Sequence, residues 1–85
     1  MNVYKITITR SAQKQLDKLP NNIADRLIDA IYDLSENPRP PGHKKLKSRM
    51  GYRIRIGDYR VIYEIFDDEL LISVIAIGDR KDIYN

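Results

Sequence analysis

Three arginines, Arg53, Arg55 and Arg60, flank the pair Gly57-Asp58, and a fourth, Arg80, stands four residues before Tyr84. Gly-Asp suits a tight two-residue hairpin turn. With those two as the only loop residues, Arg55 faces Arg60, Ile56 faces Tyr59, Ile54 faces Val61 and Arg53 faces Ile62. Side chains alternate between the faces of a sheet, so Arg53, Arg55 and Arg60 share one face. Tyr52, Ile54, Ile56, Tyr59, Val61, Tyr63 and Ile65 share the other. Like charges directly opposite each other destabilise a ladder, which points to an anion held between these arginines. The alternative is that Arg55 and Arg60 splay to solvent and pair with Glu64 or Asp58, and a third arginine on the same face weighs against it. A further strand paired back through Asp68 reaches Gly78 beside Arg60 and delivers Arg80 and Tyr84 to the same end. Guanidinium is planar, always charged and matched to phosphate oxygens, so the chemistry this cluster suits is stabilisation of a phosphorane.

The other usual reagents are missing. The chain has no cysteine and a single histidine, His43, set among lysines beside a proline-rich stretch. Disulfides, thiolate metal sites and histidine clusters are therefore excluded, and no metal or other cofactor is expected. A small chain without cysteine fits a reducing cytoplasm. The longest apolar run, residues 70–77, is far short of the ~20 residues of a spanning helix, and the start of the chain lacks the apolar block of a signal peptide. The net charge of +3 hides a segregation: residues 39–60 hold eight Lys or Arg against one acid, a balance of +7, and the remainder carries −4. A basic stretch in an otherwise acidic chain suits a polyanion partner, since it releases condensed counterions.

The elements that must position these residues follow from periodicity. Residues 4–9 alternate as a half-buried strand. Ser11 can cap a short helix with Ala12, Leu16 and Leu19 on one side, closed by Pro20. A second helix starts at Asn21 or Asn22, with Ile23, Leu27, Ala30, Ile31 and Leu34 as its apolar stripe. Pro38, Pro40 and Pro41 enforce a loop. From Tyr52 onward the period is two. The expectation is one domain, residues 1–85, of α+β class: β-α-α-β-β-β, an antiparallel sheet with a two-helix hairpin packed on one face.

The segment from Leu46 to Ile65 contains Tyr-Arg-Ile-Arg and Asp-Tyr-Arg-Val-Ile-Tyr, and residues 74–84 contain Gly-Asp-Arg with a tyrosine four residues after the arginine. These motifs resemble the RelE branch of the RelE/ParE toxin superfamily over nearly the whole chain. The middle motif is shared with non-nuclease relatives, whereas the basic pair and the terminal Arg and Tyr are more diagnostic of RNA cleavage.

The resemblance implies a metal-independent endoribonuclease that cuts mRNA in the ribosomal A site by attack of a ribose 2′-hydroxyl on the adjacent phosphodiester. DNA, lacking that hydroxyl, would be inert. By the same resemblance Arg53 and Arg55 act on substrate and transition-state charge, Arg60 holds the scissile phosphate, Arg80 is the general acid and Tyr84 the general base. Arginine at 53 and 55 departs from the lysines often found there. A tyrosine of pKa ~10 and an arginine above ~12 are poor acid-base reagents near neutrality, so the enzyme should be slow on free RNA and rely on the ribosome for orientation. Lys44, Lys45, Lys47 and Arg49 are expected to contact ribosomal RNA as positioning charges. Ile62, Phe66, Leu71, Ile75 and Ile77 would make the arginine face too apolar for open solvent. An acidic, RelB-like antitoxin that folds on binding is the cover the family implies. Two other readings stay open: a ParE-like inhibitor of DNA gyrase, and a non-catalytic RNA-binding module.

Overall fold

The computed structural model describes residues 3–47 and 51–79. In chain order these form β1 (Lys5–Ile8), α1 (Arg10–Asp17), α2 (Asn21–Asp33), β2 (Lys44–Lys45), β3 (Gly51–Ile56), β4 (Tyr59–Phe66), a 3-10 turn (Asp67–Glu69) and β5 (Leu71–Asp79). The α+β class and the helical hairpin on one face are as the periodicity implied.

Two features of the sheet differ from a plain antiparallel meander. Its order is β1-β5-β4-β3-β2, and β1 runs parallel to β5, with Lys5 opposite Leu71 and Ile8 opposite Val74. β2 adds a two-residue antiparallel rung outside β3, too short to show any period in sequence.

Helix α1 begins two residues earlier than Ser11 would place it. Thr9 is the cap, its hydroxyl accepting from the Ala12 amide at 3.2 Å. Ala12 and Leu16, one turn apart, then face the sheet. In α2 the carbonyl of Pro20 accepts from the amides of Ile23 and Ala24, and Leu27 and Ile31 are buried with Leu34. Against them lie Ile54, Val61, Tyr63, Ile65, Ile72, Val74 and Ile77, with Tyr52, Ile56 and Tyr59 at the margin. Each fully buried Leu or Ile contributes roughly 1.5–3 kcal/mol of transfer free energy. That gain fixes which face of the sheet looks toward the helices and leaves the arginines on the other.

The β3-β4 hairpin turns at Gly57-Asp58, with Gly57 at φ 61°, a left-handed conformation that glycine adopts without a Cβ clash. Between β4 and β5 the ladder slips: Ile62 pairs with Ala76 but Tyr63 pairs with Val74, leaving Ile75 as an extra residue. Such a bulge reverses the in-out alternation beyond it. This corrects one expectation: Ile77 lies opposite Val61, fully buried in the helix-facing core, and not on the arginine face.

Candidate phosphate site on the open face of the sheet

The ladder of β3 and β4 sets Arg55 directly across from Arg60 and Arg53 across from Ile62. Gly78 lies opposite Arg60 on the third strand and puts no side chain over it. Arg53, Arg55 and Arg60 therefore share the face away from the helices. Their surroundings grade from dry to wet: Arg53 is 8% exposed, Arg60 is partly buried and Arg55 is exposed.

Among the described residues, no carboxylate lies within ion-pair distance of any of these three arginines; the pair found there joins Arg39 to Asp67 at 2.9 Å. The Nε of Arg60 is buried without a hydrogen-bond partner. Burial, and then repulsion from Arg60 and Arg55, lowers the pKa of the Arg53 guanidinium from its ordinary value. A buried donor without an acceptor costs about 1–3 kcal/mol, and a crowded cationic face costs more. A phosphate oxygen would relieve both.

The lysines sit closer to this cluster than docking charges need to. Lys44 pairs with Arg53 across β2 and β3, and directly opposed residues point to the same face. Lys44, Lys45, Leu46, Lys47 and Arg53 line a cleft of about 360 Å³. No local pattern signals this proximity, because the rung that creates it is two residues long. Arg49, Arg80 and Tyr84 lie outside the described residues.

The apolar patch on this face is smaller than its sequence suggested. Ile62 points to it as expected but is 2% exposed, packed with Leu46, Ile75 and Ala76. The chain itself covers it. Phe66 is exposed at 38%, Leu71 and Ile75 are half-buried, and Leu70 adds an exposed apolar side chain in the turn. The surface left for a partner is thus Phe66, Leu70, Leu71 and Ile75, with Ile77 and Ile62 removed from it.

Arg39, counted above among the basic stretch, does other work. It donates to Asp67 and to the Tyr52 hydroxyl, and its guanidinium lies 5.2 Å from the centre of the Tyr52 ring. Tyr4 also donates to Asp67, at 2.7 Å. The hydrogen bond from Arg39 is the main reason the Asp67 carboxyl is held below its ordinary pKa of 3.8. Behind it, Tyr52 stacks on Tyr63, whose hydroxyl donates to the Pro38 carbonyl at 2.7 Å, and burial pushes the Tyr63 phenol up to about 12. This network pins the proline loop to the sheet. His43 belongs to the same loop, its Nδ1 2.8 Å from the Pro40 carbonyl, and among the described residues no group of three or more His, Cys, Asp or Glu could hold a metal ion. No helix is long and apolar enough to cross a membrane, again among the described residues.

A five-stranded sheet with a helical hairpin on one face is the fold of the toxin chains in solved toxin-antitoxin complexes. Residues 6–84 match the family model described as the ParE toxin of the type II toxin-antitoxin system parDE. Toxin RelG of Mycobacterium tuberculosis is 31% identical over 95% of this chain and 95% of its own length. The mRNA interferase toxin RelE of Escherichia coli is 24% identical over 96% of this chain and 90% of its own. The toxin-antitoxin complex RelBE2 of M. tuberculosis contains a chain that superposes with a TM-score of 0.84 at 28% identity, covering 94% of each. The chain belongs to the RelE/ParE family of toxins from type II toxin-antitoxin systems. Within that superfamily it is of the RelE type.

Proposed function

We propose that this toxin arrests translation by cutting mRNA on the ribosome. The observation that carries the reading is the gathering of Arg53, Arg55 and Arg60 on one sheet face with no carboxylate partner among the described residues. A toxin that acted only by docking would gain nothing from an uncompensated, partly dehydrated guanidinium cluster. A phosphoryl-transfer site gains preorganised charge.

In the proposed reaction the ribose 2′-oxygen bonds to phosphorus as the bond to the 5′-oxygen breaks. The 2′-hydroxyl proton leaves to a base and the 5′-oxygen takes one from an acid, leaving a 2′,3′-cyclic phosphate and a 5′-hydroxyl. Arg60, with its unpartnered Nε, is suited to the scissile phosphate. Arg55, directly opposite it, stabilises the charge that develops on the equatorial oxygens, and Arg53, the next outward residue of β3, acts on substrate charge beside it. Arg80 as acid and Tyr84 as base are the assignments the family resemblance supplies. Neighbouring guanidiniums favour tyrosinate, and the ribosome contributes orientation that free RNA lacks. No cofactor is needed for these steps. The setting is the cytoplasm, where ribosomes and message are found.

The proposed partner besides the 70S ribosome and mRNA is a RelB-like antitoxin, as in the RelBE2 complex. An acidic segment that folds on binding would neutralise the basic face and cover Phe66, Leu71 and Ile75. Induced expression of the toxin alone should halt growth and translation, and mapping of mRNA ends during arrest should show cuts within translated codons. The ParE description of the matching family model favours one second reading, inhibition of DNA gyrase. Intact mRNA together with gyrase-linked DNA breaks would establish that reading in place of the first.

A further inference from the structure

The cations of the open face are arranged as two rungs. Arg55 and Arg60 form one directly opposed pair across β3 and β4. Lys44 and Arg53 form the other, across β2 and β3. Opposed side chains start about 5 Å apart at Cβ, close enough for both to reach one phosphate group. The rungs are two residues apart along β3, which at about 3.4 Å per residue separates them by roughly 7 Å. Between them the face is continuous, because Arg53 and Arg55 are successive outward residues of one strand.

The first rung, with the buried and unpartnered Arg60 Nε, is where the scissile phosphate is proposed to lie. The second has its own evidence of a missing anion. Arg53 is 8% exposed yet has no carboxylate within ion-pair distance among the described residues. It lines a cleft of about 360 Å³ together with Lys44, Lys45 and Lys47. Leu46 in the same cleft is buried on Ile62, which anchors the lysine-bearing segment to the sheet. A cleft with an anchored floor, a dehydrated guanidinium and an ammonium opposite it has the features of an anion site.

We propose that Lys44 and Arg53 form a subsite for the backbone phosphate next to the scissile one, so that the two rungs hold successive phosphates of a single RNA strand. This rests on the reading of the open face as an RNA-cleaving site. It makes Lys44 a substrate-binding residue rather than a contact to ribosomal RNA. The order of the rungs along β3 then sets the direction in which the strand crosses the sheet.

The test counts phosphates on the free toxin. Fluorescently labelled 2′-O-methyl dinucleotides and trinucleotides, with one and two internucleotide phosphates, cannot be cleaved and report binding alone. For the wild type at low salt, the second phosphate should tighten binding about tenfold. In Lys44→Ala that gain should fall to twofold or less, in Lys44→Arg it should return, and in Lys5→Ala, a lysine on the far edge of the sheet, it should be unchanged. A second phosphate that adds nothing in the wild type would overturn the subsite. So would a gain that survives Lys44→Ala while that variant loses affinity for vacant ribosomes, since Lys44 would then be a ribosomal contact. Because no cleavage is measured, a toxin that shows the phosphate gain but leaves mRNA intact on the ribosome would contradict the nuclease reading and leave this subsite standing as an RNA-binding one.

Discussion

Arg53 gives up most of its hydration on folding and receives no carboxylate in return among the described residues. Its charge is opposed by burial first, and then by Arg60 and Arg55. Arg53→Met keeps much of the packed stem and removes the charge. It should raise stability by about 1 kcal/mol, a thermal midpoint several degrees higher, while cleavage falls. Calorimetry beside a ribosomal cleavage assay checks both, and a variant that loses stability would mean that Arg53 is held by its contacts. Arg80 poses the complementary question. Arg80→Ala should leave ribosome binding nearly intact, because one charge among fifteen basic residues contributes little to a many-phosphate association. The rate should drop at least a hundredfold, about 3 kcal/mol of lost stabilisation at the leaving oxygen. Equal losses in binding and rate would reassign the arginine to docking.

At the scale of elements, the site depends on three strands in register and on the segment after β2 that lies over them. Leu46 is 4% exposed and packs on Ile62 beneath the arginine face. Leu46→Ala should cost about 2–4 kcal/mol by the cavity it opens, and it should free the lysine-bearing segment, so that substrate affinity weakens along with stability. Chemical denaturation and oligonucleotide binding measured on the same variant check the coupling. The part of this scaffold that could be read in advance was the part with a local signal. Gly57-Asp58 fixes the hairpin register and thereby opposes Arg55 to Arg60; the apolar stripes of α1 and α2 choose the buried face. What escaped had no local signal. A bulge at Ile75 leaves the sequence alternating as before, so Ile77 reads as outward when it is buried. The parallel pairing of β1 with β5 joins opposite ends of the chain. Lys44 meets Arg53 through a rung too short to have a period. Thr9 and Ser11 are both competent caps, and the helix begins where Ala12 and Leu16 can reach the core.

For the whole molecule, charge is divided between a cationic open face and a network that closes on itself. Asp67, hydrogen-bonded by Arg39 and Tyr4, has a depressed pKa. A depressed carboxylate contributes stability that is present above its unfolded pKa and lost as pH falls through the folded one. Asp67→Asn should therefore differ from the wild type by a constant amount above about pH 4 and by less and less below it. Tyr63, raised to about 12 by burial, acts on the other side: its contribution is present below about pH 10 and is lost as pH rises toward 12. Thermal midpoints of the wild type, Asp67→Asn and Tyr63→Phe across pH 2–12 would show both limbs. High salt should shrink the acid limb more, because Arg39 and Asp67 are exposed and Tyr63 is not.

The open face is tested most directly by purified toxin acting on ribosomes programmed with a defined message, with cuts mapped by primer extension. Wild type should cut within the codon occupying the A site, leave the same RNA nearly untouched when ribosomes are omitted, and spare a message carrying a 2′-deoxy residue at the attacked position. Arg60→Ala should bind the ribosome and cut at least a hundredfold more slowly. Cleavage at full rate by Arg60→Ala, or an intact message under wild-type toxin, would contradict the assignment of this arginine face to RNA cleavage.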